Sequence, residues 1–375
     1  MLQAVLQASG RFVLREQPVP EPGPGQVLLR VLAVGVCGSD VHMFKHGRIG
    51  GIRIEDAGHP FVPGHEAVGR VEAVGPSDHG RDAHATSSPH GRDGRRGDQD
   101  ARATRDARAM SLVGRRVFIE PAINCQACRW CQAGQPNVCP HHEFLGLPPR
   151  DGALTQYMTH PARLCEPLPD DVCDDAGVLL EPLAVAVHSL DRGGFRAGCS
   201  AVVLGAGPIG LTHVLLLAGL AGPLIVTDPL EYRLEHARRL GATITINPRR
   251  QDAVAAVLEA TGGHGADFVF ECAGAAETFE QMVAMAAPAA RVAVVGIPED
   301  DRLAFPHSLA RRKGLDVLMV RRANLTFARA LDRLRAARLP LASLATHHWP
   351  LDQVQQAFET AGEYRDGVVK AIVQP

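Results

Sequence analysis

Short apolar runs punctuated by glycine and proline dominate the first third of this chain. Residues 27–34 (VLLRVLAV) stop at Gly35, residues 66–74 (EAVGRVEAV) alternate enough for a half-buried strand, and residues 117–120 offer another. Such close Pro and Gly punctuation predicts a barrel-like all-β unit. Further on the rhythm changes. Residues 201–204, 224–227, 268–272 and 291–295 are short apolar strands rich in β-branched residues, with helical stretches such as 230–240 (LEYRLEHARRL) between them. Strands alternating with helices predict a parallel sheet covered on both faces. Beyond Asn324 an arginine-rich amphipathic helix (327–338) and a strand-like VVKAIVQP close the chain.

One stretch fits neither pattern. Residues 76–110 contain no Val, Ile, Leu or aromatic residue, and their 6 Asp are nearly balanced by 7 Arg. Such a segment cannot bury enough apolar surface to offset the entropy of ordering, so it reads as a disordered insertion.

The 375 residues predict about two domains, and the formal net charge of −2 argues against a nucleic-acid or anionic-membrane binder. The most apolar stretch, 211–226, is broken by His213, Gly219, Gly222 and Pro223 and reads as a buried helix followed by a strand, not a membrane span. The first twenty residues lack the basic flank and apolar run of a signal peptide. Nine cysteines, an odd number, speak against a disulfide framework. A reduced, cytoplasmic setting is expected, with thiols available for metal or catalysis.

Four of those thiols are clustered. Cys125, Cys128, Cys131 and Cys139 lie in NCQACRWCQAGQPNVC. Spacings of three, three and eight put four thiolates within reach of one tetrahedral ion, and zinc held that way has no open position. The site is therefore read as structural. A redox CxxC pair would want a βαβ context, and a zinc-ribbon nucleic-acid module a basic stripe; neither accompanies these cysteines.

Residues 202–210 (VVLGAGPIG) run a predicted strand into a glycine fingerprint that opens a helix, and Asp228 closes the next strand. In that context Gly205, Gly207, Pro208, Ile209 and Gly210 form a dinucleotide turn, with the pyrophosphate at the helix N-terminus. Asp228 would accept hydrogen bonds from ribose hydroxyls and repel a 2′-phosphate, which favours NAD over NADP.

Two shorter motifs lie upstream, Cys37-Gly-Ser-Asp-Val-His42 and Gly64-His65-Glu66-Ala-Val-Gly69. Together they place a thiolate, an imidazole and a carboxylate beside glycine-flanked turns at strand ends. Leu180-Glu181-Pro182-Leu183 adds a carboxylate in an apolar setting, where an unpaired charge is expensive and a cation would resolve the cost.

The ordered set CGSDVH, GHEAVG, the four-cysteine lobe, LLEPLAVAVH and the glycine fingerprint resembles the zinc-containing medium-chain alcohol dehydrogenases over nearly the whole chain. HGRIGG (46–51), FLGLPPRDGALTQYM (144–158), and Glu181 where alcohol dehydrogenases carry a cysteine ligand are similar to the sorbitol/polyol branch. The resemblance implies an α/β protein: a GroES-like β-rich catalytic domain over residues 1–183 and 319–375, with its zinc lobe at 121–140, and a Rossmann doubly wound parallel-sheet coenzyme domain over 184–318. It implies a catalytic zinc on Cys37 and His65, with Glu66 as a third ligand or as a carboxylate behind the ligands, and Glu181 reaching the ion directly or through water. With the cysteine lobe this makes two zinc ions per subunit.

Ser39 and His42 match the family's proton relay, and Arg233 a position near the adenosine ribose. The implied reaction passes hydride from a secondary alcohol of a polyol, as a zinc-bound alkoxide, to NAD. L-Threonine, 2,3-butanediol and aminocyclitol dehydrogenases share most of these motifs and stay open as alternatives, and a non-catalytic zinc scaffold is the alternative outside enzymes. Arg321 fits the arginine that contacts substrate hydroxyls in polyol dehydrogenases. Arg322 stands where an aromatic residue is expected, and Met43 replaces another aromatic. The implied partners are a small alcohol substrate and further copies of the chain, as a dimer or tetramer.

Overall fold

The computed structural model describes residues 1–57, 60–76, 107–299 and 302–375. Two sheets organise it. The first has seven strands, and its central strand, Gln26–Gly35, pairs antiparallel with Glu66–Val74, Tyr157–Pro161 and the C-terminal Lys370–Gln374. Beyond Glu66–Val74 follow Arg116–Ile119 and Cys165–Pro167. The expected strands are thus present, and the closing segment docks as a strand in the middle of this sheet. Alternate side chains of the central strand, Val27, Leu29 and Val31, fill a core shared with Phe61, Ile119 and Phe358.

The second sheet is wholly parallel. In chain order its strands are Ala201–Leu204, Leu224–Thr227, Ile244–Ile246, Ala266–Glu271, Ala286–Val294 and Asp316–Met319. In space they run third, second, first, fourth, fifth, sixth. That order reverses direction between the first and fourth strands, and crevices for ligands form at the carboxyl ends of such a switch point. Ala201–Leu204 is buried along its whole length, which explains its uninterrupted apolar sequence. The apolar stretch 211–226 divides as expected into the helix Pro208–Leu217 and the strand Leu224–Thr227. No described helix is long and apolar enough to cross a membrane.

The stretch 76–110 needs a correction at its end. Residues 107–111 are helical, and Ala109 is buried in the core of the first sheet. Leu112, just after the helix, is buried as well, while Arg108 stays exposed and pairs with Glu166 at 2.8 Å. Residues 77–106, on which most of the disorder expectation falls, lie outside the described residues.

Candidate functional site

The glycine turn is shaped by close approach. Gly205 has φ +93°, and a Cβ at Gly210 would lie 1.8 Å from the Gly205 carbonyl oxygen, so only glycine fits there. Gly207 caps the helix Pro208–Leu217 in an extended conformation, with Pro208 in the first turn and no side chain capping the free N–H groups. A Cβ at Gly207 would meet only Arg233, at 3.8 Å. Open space over unsatisfied helix N–H groups fits a pyrophosphate.

Asp228 is buried at the end of the next strand. Its Oδ2 accepts from the Ala206 N–H at 2.8 Å and its Oδ1 from the Leu230 N–H at 2.8 Å, tying the turn to its neighbour. Arg233 approaches within 3.7 Å of Asp228 and lies over the Tyr364 ring.

Cys37, His65 and Glu66 converge at the other sheet. Cys37 follows the strand Gln26–Gly35 and caps the helix Gly38–His46, where its N–H donates to Asp40 at 3.1 Å. Glu66 opens the strand paired with it, directly opposite Gly35, and a Cβ at Gly35 would lie 2.2 Å from the Glu66 carboxylate. Glycine at 35 thus makes room for that side chain. One ligand atom from each of Cys37, His65 and Glu66 lies within 4.8 Å of the others, a donor set of thiolate, imidazole and carboxylate that suits zinc.

His65 Nδ1 sits 3.3 Å from the buried Asp40 carboxylate, an electrostatic contact made deep in the protein. Burial disfavours charge on His65, but Asp40 and Cys37 outweigh it and hold its pKa well above the usual range. The pocket favours positive charge.

Glu181 lies buried in the first turn of the helix Leu180–Gly193. Burial pushes its pKa up to about 7, against the pull of His65 and with the push of Glu66. Its carboxylate is therefore close enough to sense the cluster, although it is not one of the three converging donors. Ser39 and His42, three residues apart on one helix face, are both half-buried. Burial, and then the adjacent His46, lowers the His42 pKa.

The four-cysteine lobe is local and more open. Cys125 Sγ lies 4.0 Å from that of Cys131 and 3.5 Å from that of Cys139, and Cys128 and Cys139 are 3.8 Å apart. A tetrahedron of thiolates about 2.3 Å from zinc has edges of about 3.8 Å, so the four sulfurs fit the ion. N–H groups of Ala127 and Cys128 lower the Cys125 pKa to about 6, whereas burial among the other sulfurs raises that of Cys131 to about 12.

The structure does not bring Arg321 to the Cys37 cluster. Its Nε donates to the Asn137 carbonyl at 3.0 Å, its Nη2 lies 2.9 Å from His142, and Asn137 returns a bond to the Arg321 carbonyl. These bonds bind it to the cysteine lobe. Arg322, with φ +53°, turns the other way. Its guanidinium lies 3.5 Å over the Phe144 ring, whose other neighbour is His65 at 5.0 Å, and Glu181 is within electrostatic reach. Burial, with Arg321 beside it, lowers its pKa to about 9, so it stays charged at neutral pH.

Sequence reasoning gave no role to Arg322, Asp40, Phe144 or Lys370. Lys370 is fully buried and donates to both Glu66 oxygens, at 2.8 and 2.6 Å, and to the Val36 carbonyl at 3.1 Å. Its signal was available: one of only three lysines in the chain, in the middle of the apolar run VVKAIV.

Comparison with known proteins agrees with this geometry. Residues 23–91 and 102–170 match the family model of the alcohol dehydrogenase GroES-like domain, and residues 208–336 that of the zinc-binding dehydrogenases. The chain is 31% identical over 376 residues to the sorbitol dehydrogenase of Bacillus subtilis, covering 100% of this chain and 97% of that protein. It is 33% identical to the sorbitol dehydrogenase of Gallus gallus, covering 96% and 92%. A crystal structure of an Escherichia coli oxidoreductase/dehydrogenase of unknown specificity superposes with a TM-score of 0.84 at 31% identity, covering 100% of this chain and 98% of that one.

Proposed function

Because the chain belongs to the zinc-containing medium-chain alcohol dehydrogenases, on their sorbitol dehydrogenase-like branch, we propose that it oxidises a secondary alcohol of a polyol and passes the hydride to NAD. The convergence of Cys37, His65 and Glu66 carries this reading. These three would hold a catalytic zinc, with Glu181 beside it. Zinc bound there supplies a Lewis acid that makes an alcohol acidic near neutral pH.

The chain's own groups then have separate tasks. Asp40 sets its carboxylate against the His65 ring, and Lys370 holds the Glu66 carboxylate in place. A carboxylate has about four lone-pair sites, so Glu66 can keep Lys370 and still face an ion. Ser39 takes the substrate proton and hands it to His42, whose lowered pKa keeps it neutral and able to accept at pH 7. The N–H groups opened by Gly207 and Pro208 take the pyrophosphate, and Asp228 takes the ribose hydroxyls. Cys125, Cys128, Cys131 and Cys139 would hold a second, structural zinc, and Arg321 ties that lobe to the segment leading to Arg322. The catalytic unit runs over residues 1–183 and 319–375, and the coenzyme unit over 184–318.

The test is a screen for NADH formation over polyols, diols, cyclitols and threonine, with zinc measured on the same sample. Two zinc ions per chain and turnover of a polyol are expected. Full zinc loading with no turnover of any alcohol overturns the reading, and selective turnover of threonine or a diol moves the substrate to that class.

A further inference from the structure

Two adjacent arginines have opposite fates. Arg321 spends its donors on Asn137 and His142. Arg322 Nη1 is buried and has no hydrogen-bond partner among the described residues. The Phe144 ring takes the face of its cation, but a ring face leaves the in-plane N–H groups of a guanidinium unmet. A buried, charged donor without an acceptor is costly, and this one is held in a left-handed backbone conformation that a non-glycine residue seldom adopts. The same Phe144 packs on His65, so the unmet donor lies one ring away from the converging metal donors.

We propose that Arg322 recognises a carboxylate on the substrate, so that the preferred substrate is a polyhydroxy acid rather than a neutral sugar alcohol. This rests on the dehydrogenase reading above and narrows its substrate class. An anion answers a desolvated guanidinium better than a hydroxyl does, because charge-assisted hydrogen bonds are about twice as strong as neutral ones. A phosphate dianion asks for several donors or a second cation, and Arg321 is already committed elsewhere. The unmet N–H groups on Nη1 match one carboxylate oxygen.

The test compares six-carbon aldonates, the alditols of the same configuration and their 6-phosphates. Each is assayed for NADH formation by the zinc-loaded enzyme and for calorimetric binding to the enzyme–NADH complex, in wild type, Arg322→Gln and Arg322→Lys. Expected are tighter aldonate binding and a higher kcat/KM for the aldonate. Arg322→Gln should lower the aldonate-to-alditol ratio about ten- to a hundredfold, mainly through KM, and Arg322→Lys should recover part of it. A folding defect would depress all substrates together and leave the ratio unchanged. Preference for the alditol or the phosphate, or a ratio that Arg322→Gln does not move, overturns the carboxylate assignment while NADH formation still upholds the dehydrogenase. Selective aldonate binding without NADH from any compound overturns the dehydrogenase reading and retains the anion site.

Discussion

The two cysteine-containing clusters would hold the same ion with opposite designs. The four-cysteine lobe draws all its donors from fifteen residues, is partly open to solvent, and offers donors of one kind, four thiols. The Cys37 centre draws one donor from the end of one strand and two from the start of another, nearly thirty residues on, and a buried lysine from a third strand steadies its carboxylate. A closed set of four leaves nothing for a substrate to bind. A mixed set of three, braced from behind by Asp40 and Lys370, would leave a coordination position free on a tetrahedral ion. The difference predicts that one centre governs turnover and the other governs folding.

Replacing Cys37 with serine is the strongest way to break that contrast. Serine is a good N-cap, so the helix Gly38–His46 should keep its start. We expect one zinc lost, NADH formation reduced about a thousandfold or more, and the melting temperature little changed. Zinc analysis, kinetics and a thermal melt on one sample check this. A variant that unfolds, or one that keeps both zinc ions, would contradict the division.

Cys125→Ser should do the reverse. The other zinc is lost and the protein melts about 10 °C lower, because the binding energy of a structural zinc is folding energy. Arg321 ties the lobe to the segment bearing Arg322, so some activity should be lost through misplacement as well. Loss of activity equal to that of Cys37→Ser, with an unchanged melt, would show that the lobe is catalytic after all.

Lys370→Met sharpens the contrast more gently. Without the ammonium, Glu66 becomes a buried, unpaired carboxylate, a defect worth about 3 kcal/mol or more. Zinc at the Cys37 centre would absorb much of that cost. The stability lost should therefore be larger in chelator-treated protein than in zinc-loaded protein, as read by urea unfolding. Equal losses in the two forms would mean that Glu66 serves Lys370 and not an ion.

The contrast also explains what could be read from the sequence. The lobe was legible because its donors are neighbours in the chain, and the glycine turn because its context is local: strand, turn, helix, acidic residue. The inner strands of both sheets were visible as apolar runs, since their burial leaves few polar positions, whereas short or more polar strands such as Tyr157–Pro161, Ile244–Ile246 and Ala345–Pro350 were not. What was missed acts across long separations. Lys370 reaches Glu66 over 304 residues, and no local pattern announces that pairing. The choice between Arg321 and Arg322 is set by a positive φ at Arg322, which no side-chain motif encodes. The helix at 107–111 was masked by the polar composition of the segment before it, because one buried alanine is too small a signal.

The smallest effect separates acid damage at the metal centres from acid damage to the rest of the fold. Any centre of thiolates and imidazole loses its ion as pH falls, so acid lability alone cannot tell one region from the other. His213 offers a reference outside both. It is fully buried in the helix Pro208–Leu217, with Nδ1 2.7 Å from the Ile209 carbonyl and its ring against Phe270, and burial lowers its pKa to about 4. Above pH 6.5 the ring is neutral in both folded and unfolded chains and contributes nothing to the pH dependence. As pH falls below 6.5 the unfolded chain binds the proton first, so stability is lost progressively until about pH 4, where the folded state binds it too. Between pH 7 and pH 5 this amounts to about 2 kcal/mol. His213→Leu should lose that much less stability than wild type over the same interval, measured by urea unfolding with zinc in excess. If the two proteins decline in parallel, the His213 ring does not resist protonation, and acid acts through other groups, the metal centres and the equally buried His160 among them.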